Sequence, residues 1–260
     1  MNIIVCIKQV PDTNDIKIDP VSNTLIREGV ESIINPFDLY AIEEAIRLKE
    51  QHGGKITALS MGPPQVESAL RECIALGVDT IILLTDRKFA GADTWATSLT
   101  LAAAIKKIGD YDLIIFGQQA VDGDTAQVGP GVAAHLALPQ TCFVRRIEEI
   151  KEDRIIVQRL MEDGYDRIRM KLPAVLTVVK DINTPRLPSL RGKRNARSAE
   201  LKIMTAADLN LDKNEIGLNG SPTQVIRIFS PEFRKNVEKH ELPADDLAEI
   251  LYKKLKEFGK

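Results

Sequence analysis

The chain has 260 residues, 44% of them hydrophobic and 28% charged, with a formal net charge of −2. That length suits one large domain, or one domain plus an appendage, and the apolar share is enough to bury a full core. The near-neutral balance gives no global field to attract nucleic acid or an anionic membrane, and no stretch nears the roughly 18 apolar residues of a membrane span.

The start, "MNIIVCIKQV", lacks a basic segment followed by a long apolar one, so it reads as a first strand rather than a leader. Its "IIVCIK" is a continuous apolar, β-branched run, as expected of a strand buried on both faces. "IKIDPVSNTLIRE" then reads as a hairpin turning at "DPVSN". "PFDLYAIEEAIRLKEQHGG" has helical apolar spacing and a Gly stop. "KITALSMG" is a strand, and "PPQVESALRECIALG" a helix with Pro at its start and Gly at its end. "VDTIILLTD" and "YDLIIFG" are strands. "DTWATSLTLAAAIKKIG" and the short "PGVAAHLAL" are the helices that follow them.

"QTCFVRRI" reads as a fifth strand. Strands alternating with helices predict a Rossmann-like α/β fold: a mostly parallel sheet with helices on both faces and right-handed crossovers. "DRIIVQRLMEDGYDRIRMKLPAVLTVV" adds three short strands with a turn at "EDGY", expected as antiparallel edge strands. "NTPRLPSLRGKRNARSAE", with its prolines and basic run, reads as an exposed loop. Residues 201–242 look polar and irregular. "LPADDLAEILYKKLKEFGK" is an amphipathic terminal helix with Leu247, Ile250, Leu251, Leu255 and Phe258 on one face. The expected division is therefore an α/β domain over 1–200 and an arm with its helix over 201–260.

Cys6, Cys73 and Cys142 lie far apart in apolar runs with no CxxC, which reads as reduced thiols in a reducing, cytoplasmic setting. His52, His135 and His240 are equally scattered, so no metal site is expected. No Ser–His or Cys–His set has a supporting motif. Carboxylate pairs such as those in "AIEEAIRLKE" read as a solvated helix face. No catalytic residue is therefore assigned, and any chemistry would be carried by a bound cofactor.

Ligands of open α/β sheets bind outside the carboxyl ends of the strands. Four loops fall there: "KQVPD", "MGPP", "TDRKFAGADT" and "GQQAVDGDTAQVGPG". In the last, Gly123 and Gly129 permit close backbone approach, and Pro130 suits the first position of a helix capped by Gly129. A loop feeding a helix N-terminus presents free amides to a phosphate. Thr125 and Gln127 add polar side chains. Asp122 and Asp124 repel phosphate and suit ribose hydroxyls, an adenine amine or loop-internal amides. The pattern is not GxGxxG, and a tight connection held by Asp side chains is the plainer alternative. In "GADTWAT", Asp93 can cap a helix. Thr94 and Thr97 then share one face of its first turn, suited to a diphosphate or a flavin edge, or simply to local back-bonding.

Taken together, "KQVPD", "NPFDLYAIEEAIRLKE", "SMGPPQ", "GQQAVDGDTAQVGP" and "RLMEDGYDRIRMKLPAVLTV" resemble the beta subunit of electron-transfer flavoproteins, over nearly the whole chain and most clearly over 1–197. The resemblance implies a heterodimer with an alpha subunit that carries FAD. It also implies a second nucleotide in this chain: AMP in the housekeeping type, FAD in the electron-bifurcating type. The pocket it implies includes Cys6, Lys8, Asn35, Asp38, Met61, Gln119, Asp122, Gly123, Asp124, Thr125, Ala126, Gln127, Val128 and Gly129. Asp93, Thr94 and Thr97 join it.

"TPRLPSLRGKRNA" is similar to the family's recognition loop for an acyl-CoA dehydrogenase. Leu190 is its implied anchor, beside Arg186, Leu187, Arg191 and Lys193. The "DGDTAQVGP" form and "ADTWAT" resemble the bifurcating type, which implies NADH as donor and ferredoxin or flavodoxin as low-potential acceptor. The competing expectations are an AMP-holding electron-transfer scaffold and, from another class, a nucleotide-binding sensor of the universal-stress type.

Overall fold

The computed structural model of the chain describes residues 1–12, 32–226 and 238–258. Two compact units result, Met1–Ile226 and Arg227–Lys260. The hairpin expected at "IKIDPVSNTLIRE" lies outside the described residues.

In chain order the first unit contains β1 (Asn2–Cys6), β2 (Gln9–Pro11), β3 (Ser32–Ile34), α1 (Pro36–His52), β4 (Lys55–Met61) and α2 (Glu67–Leu76). β5 (Thr80–Leu84), α3 (Thr94–Ile108), β6 (Leu113–Gly117) and α4 (Val128–Leu136) follow. Next come β7 (Gln140–Lys151), β8 (Arg154–Leu160), β9 (Tyr165–Lys171) and β10 (Ala174–Val178). The unit closes with α5 (Leu190–Ser198), β11 (Leu201–Met204) and α6 (Ala206–Leu209). The second unit contributes α7 (Ala244–Phe258), whose Leu247, Leu251, Leu255 and Phe258 recur at helical spacing and lie exposed.

The main sheet has the order β11-β5-β4-β1-β6-β10-β7-β8-β9, parallel through β7 and antiparallel at β8 and β9. Its alternating side chains divide between two cores. Ile3, Val5, Ile56 and Leu113 face α1, α2 and α5, while Ile4, Cys6, Leu59 and Ile114 face α3, α4 and α6. That two-sided cover explains the continuous apolar runs of β1 and β6. β1 pairs with β4 on one side and β6 on the other. The chain order reverses between β1 and β6, which opens the crevice that ligands of such sheets use.

Four expectations are corrected. β10 is not an edge strand: it inserts in parallel between β6 and β7, and all five of its residues are buried. Part of the basic loop is the helix α5, capped by the Ser189 hydroxyl, which accepts from the Gly192 amide at 2.9 Å. Residues 201–209 are ordered, because β11 completes the sheet edge beside β5. α4 begins at Val128 after Gln127, so Pro130 is its third residue rather than its first. Proline is tolerated there because the first-turn amides have no intrahelical acceptor.

Candidate functional site

The crevice between β1 and β6 is built from four directions. At the end of β6, Gly117 passes under the start of α1: a Cβ there would lie 2.4 Å from Asp38 Oδ1 and 2.7 Å from the Phe37 carbonyl carbon. Only glycine admits that approach. Asp38 is buried, and its Oδ2 accepts from the Lys8 amide at 2.7 Å. Burial pushes its carboxyl up to about 7, against the bonds it receives from Lys8, Asn35 and Gly117.

Asn35 has no exposed surface. Its Nδ2 donates to the Gln119 carbonyl at 2.8 Å, and its Oδ1 accepts from the Val121 amide at 3.1 Å. The Asn35 amide donates to the Lys8 carbonyl at 2.8 Å. The start of α1 therefore clasps both loops of the crevice, the one after β1 and the one after β6.

Above the clasp, Lys8 Nζ donates to both oxygens of Asp122 at 2.6 and 2.7 Å. Gln119 Nε2 donates to Asp124 Oδ1 at 2.8 Å, and the Gly123 and Asp124 amides both donate to the Ala120 carbonyl. Asp124 and Ala126 stand at positive φ, 49° and 53°. The loop is thus coiled on itself, with Gly123, Thr125 and Gln127 exposed. No side chain caps α4 among the described residues, so the amides of Val128 and Gly129 are left for an anion. Gly129 itself is buried against Thr177.

The facing wall is the first turn of α3. Asp93 caps it, accepting at Oδ1 from the amides of Trp95 and Ala96, both at 3.0 Å. Thr94 Oγ1 donates to Gln127 Oε1 at 3.0 Å, joining this turn to the loop. Thr97 is half-buried on the same helix.

Most residues singled out from the sequence therefore meet. Lys8, Asn35, Asp38, Gln119, Asp122 and Asp124 are joined by hydrogen bonds into one shell, and Thr94 pairs with Gln127 beside Asp93 on the facing turn. Cys6 lies beneath it at the end of β1, and Met61 at the end of β4. Burial pushes the Cys6 thiol well up, with the Asp38 charge adding to it, so it is a packing residue rather than a nucleophile. Cys73 is also buried and Cys142 only partly so, and all three thiols are free. Several of the carboxylates and hydroxyls are spent within the shell itself. What remains open is amides and the Thr97 and Thr125 hydroxyls, with the Asp122 carboxylate already held by Lys8. That donor set suits a phosphate with ribose and adenine beside it.

The basic segment is more structured than its sequence suggests. Arg186 forks onto Glu43 at 2.8 Å and onto Glu50 at 2.6 Å, which raises its own pKa further and ties the segment to α1. Glu43 and Glu44 are buried, so the solvated face expected for "AIEEAIRLKE" is corrected: Glu43 serves Arg186 and Arg47, and Glu44 accepts from Asn183. Leu187 and Leu190, by contrast, are each 88% exposed, beside exposed Arg191 and Lys193.

Two participants have no signal in the sequence. Ser221 and Thr223 meet Asp93 from 128 and 130 residues away. A cleft of about 470 Å³ lies elsewhere, lined by Met1, His52, Asp112, Glu152 and Asp153 among others, and shares no residue with the shell. No metal-ligating cluster occurs among the described residues, and no described helix is long and apolar enough to cross a membrane.

The sequence matches the family described as "Electron transfer flavoprotein domain" over residues 22–209. It is 57% identical over 232 residues to the electron transfer flavoprotein subunit beta of Thermoanaerobacterium thermosaccharolyticum, covering 89% of this chain and 88% of the relative. It is 49% identical over 257 residues to the same subunit of Clostridium acetobutylicum, covering 99% and 98%. To the "Caffeyl-CoA reductase-Etf complex subunit CarD" of Acetobacterium woodii it is 48% identical over 259 residues, again covering 99% and 98%.

Proposed function

The chain belongs to the electron transfer flavoprotein family, on its beta-subunit side, and we propose that it binds FAD in the 118–129 cradle and receives a hydride there from NADH. Its partner would be the family's alpha subunit, in a heterodimer. The observation that carries this reading is the Thr94–Gln127 hydrogen bond, because it joins a second polar wall to the cradle. An AMP-sized group needs only the loop and the amides of α4. A flavin dinucleotide needs the added hydroxyls of α3.

The donor set fits FAD as follows. The open amides of Val128 and Gly129 would face its phosphates, and Asp122 its ribose or adenine edge. Thr94 and Thr97 would steady the part beyond the adenosine. Lys8 holds Asp122 in place and would bring a positive charge to the cradle. Asn35 and Asp38 act from beneath, fixing the two loops that bound the cradle. When bound, FAD would supply hydride acceptance and the parting of the two electrons, one to the alpha-subunit flavin and one to ferredoxin or flavodoxin.

The exposed Leu187 and Leu190, ringed by cations, would seat the dehydrogenase that takes the high-potential electrons, an acyl-CoA dehydrogenase. The name of the Acetobacterium relative, which places it in a caffeyl-CoA reductase complex, supports a CoA-linked redox partner.

Thr94→Val tests the flavin reading. Loss of one neutral hydrogen bond should weaken FAD binding in this chain about three- to tenfold and leave AMP binding within about twofold. Equal losses for both nucleotides in titration calorimetry would contradict a flavin-specific role for the α3 wall.

A further inference from the structure

The carboxylate of Asp93 is divided between two tasks. Oδ1 caps α3 through the Trp95 and Ala96 amides. Oδ2 accepts from both the Thr223 amide at 3.0 Å and the Thr223 hydroxyl at 2.8 Å. The Asp93 amide donates to Ser221 Oγ at 2.9 Å, and that hydroxyl donates to the Gly217 carbonyl at 2.7 Å. Around these bonds, residues 216–223 are seated on the 88–93 loop. Ile216 is buried, the Leu218 amide donates to the Ala90 carbonyl at 3.0 Å, and a Cβ on Gly217 would lie 2.0 Å from the Lys88 carbonyl oxygen. Residues 216–223 close the first compact unit, which ends at Ile226, and so form the root of the C-terminal arm.

We propose that Asp93 is a positioning residue that couples the nucleotide cradle to the root of the C-terminal arm. This inference rests on the reading of the cradle as a nucleotide site. With four donors on its two oxygens, the carboxylate has little capacity left for a ligand, so its effect on the site passes through α3. Thr94 follows it directly and holds Gln127. The connected path is Thr223, Asp93, the first turn of α3, Thr94, Gln127.

A nucleotide that orders Thr94 and Gln127 must also favour the α3 geometry that Asp93 and Thr223 maintain. By linkage, whatever factor the fastened arm root adds to nucleotide affinity, the nucleotide adds to the fastening of the root. The bonds that Asp93 receives from Ala96, Thr223 and Trp95 outweigh its partial burial and hold its carboxyl below the usual carboxylate range, so the charge that serves both tasks persists at neutral pH.

Two variants separate the tasks. Asp93→Asn keeps an oxygen for the cap but turns an amide donor toward the Thr223 N–H. Thr223→Val removes one donor at a residue that is not part of the cradle. Both are prepared as the full chain co-expressed with its alpha partner, and the second nucleotide is titrated as FAD and as AMP. Each variant is expected to weaken binding about five- to tenfold, the lower part of the range for inter-site coupling. Asp208→Ala is the control: it breaks the Thr205–Asp208 capping box of α6, which lies outside the path, and should change affinity less than about twofold.

In the wild type, saturating nucleotide should slow hydrogen exchange at the amides of Ser221 and Thr223, and this slowing should shrink in Asp93→Asn. A purely structural clasp would lower the melting temperature of both variants with affinity and nucleotide-dependent exchange unchanged, and that result overturns the coupling alone. A wild-type protein that takes up neither FAD nor AMP overturns the cradle reading, and the coupling with it.

Discussion

Asn35 shows how much of the site depends on single buried polar groups. Its amide has no exposed surface, and both ends are used by the backbone of the 119–121 segment. Asn35→Ala would leave the Gln119 carbonyl and Val121 amide without partners, at a cost of about 1–3 kcal/mol in urea denaturation, with weaker nucleotide binding as the cradle loosens. Asp38 beside it gives a pH dependence of definite sign. Its carboxyl is raised from 3.8 to about 7, so between those values the folded state holds a proton that the unfolded chain releases. The stability it contributes is therefore complete below about pH 4 and is lost as the pH rises through about 7. Asp38→Asn should lose less stability than the wild type between about pH 5 and about pH 8, and equal losses would show that Asp38 is not the titrating group. Asn35 and Asp38 were legible only through the resemblance of "NPFD", since nothing in spacing alone distinguishes a clasp beneath a site from a ligand contact. Asp93 was legible as a cap because Asp before a helical run is a general signal. Its bonds to Thr223 were not, because contacts across 130 residues leave no local pattern.

At the level of elements, α4 depends on a close seat over β10. A Cβ on Gly129 would lie 2.7 Å from Thr177 Cγ2, so Gly129→Ala should overpack the junction by about 1–3 kcal/mol and shift the amides that open toward the cradle. A thermal unfolding midpoint equal to the wild type would contradict this seat. The parallel strands and their helices were readable from apolar runs and Gly or Pro punctuation, because each is a local pattern. The place of β10 was not, since its five buried residues fit any interior position and its pairing with β6 is set across 61 residues, as Ala174 opposite Leu113 shows. The helix α5 was hidden by the prolines at 185 and 188, although Ser189 ahead of it is a standard capping residue. Its neighbourhood carries the partner prediction. Leu187 and Leu190 bury little surface, so Leu190→Ser should leave the melting temperature unchanged while electron transfer to the dehydrogenase falls at least about tenfold. An unchanged transfer rate would remove Leu190 from the docking surface.

On the scale of the whole molecule, the first unit is a nine-stranded sheet with two cores, beside the short β2–β3 pair, and the reversal between β1 and β6 is the one that carries the cradle. Fold class could be read from the sequence because alternating strands and helices allow few arrangements. Membership of the family is established by relatives at 57% and 49% identity, and the finer proposal concerns a nucleotide in the cradle, FAD rather than AMP. Both candidates share phosphate and adenosine chemistry, and on the reading proposed above the polar wall of α3 is what would separate them. The most direct test is the flavin content of the chain co-purified with its alpha subunit and supplied with FAD. Two flavins per heterodimer, the second bleached by NADH under anaerobic conditions, is the predicted result. One flavin accompanied by AMP would make this chain a structural carrier and would contradict a hydride-accepting site in it.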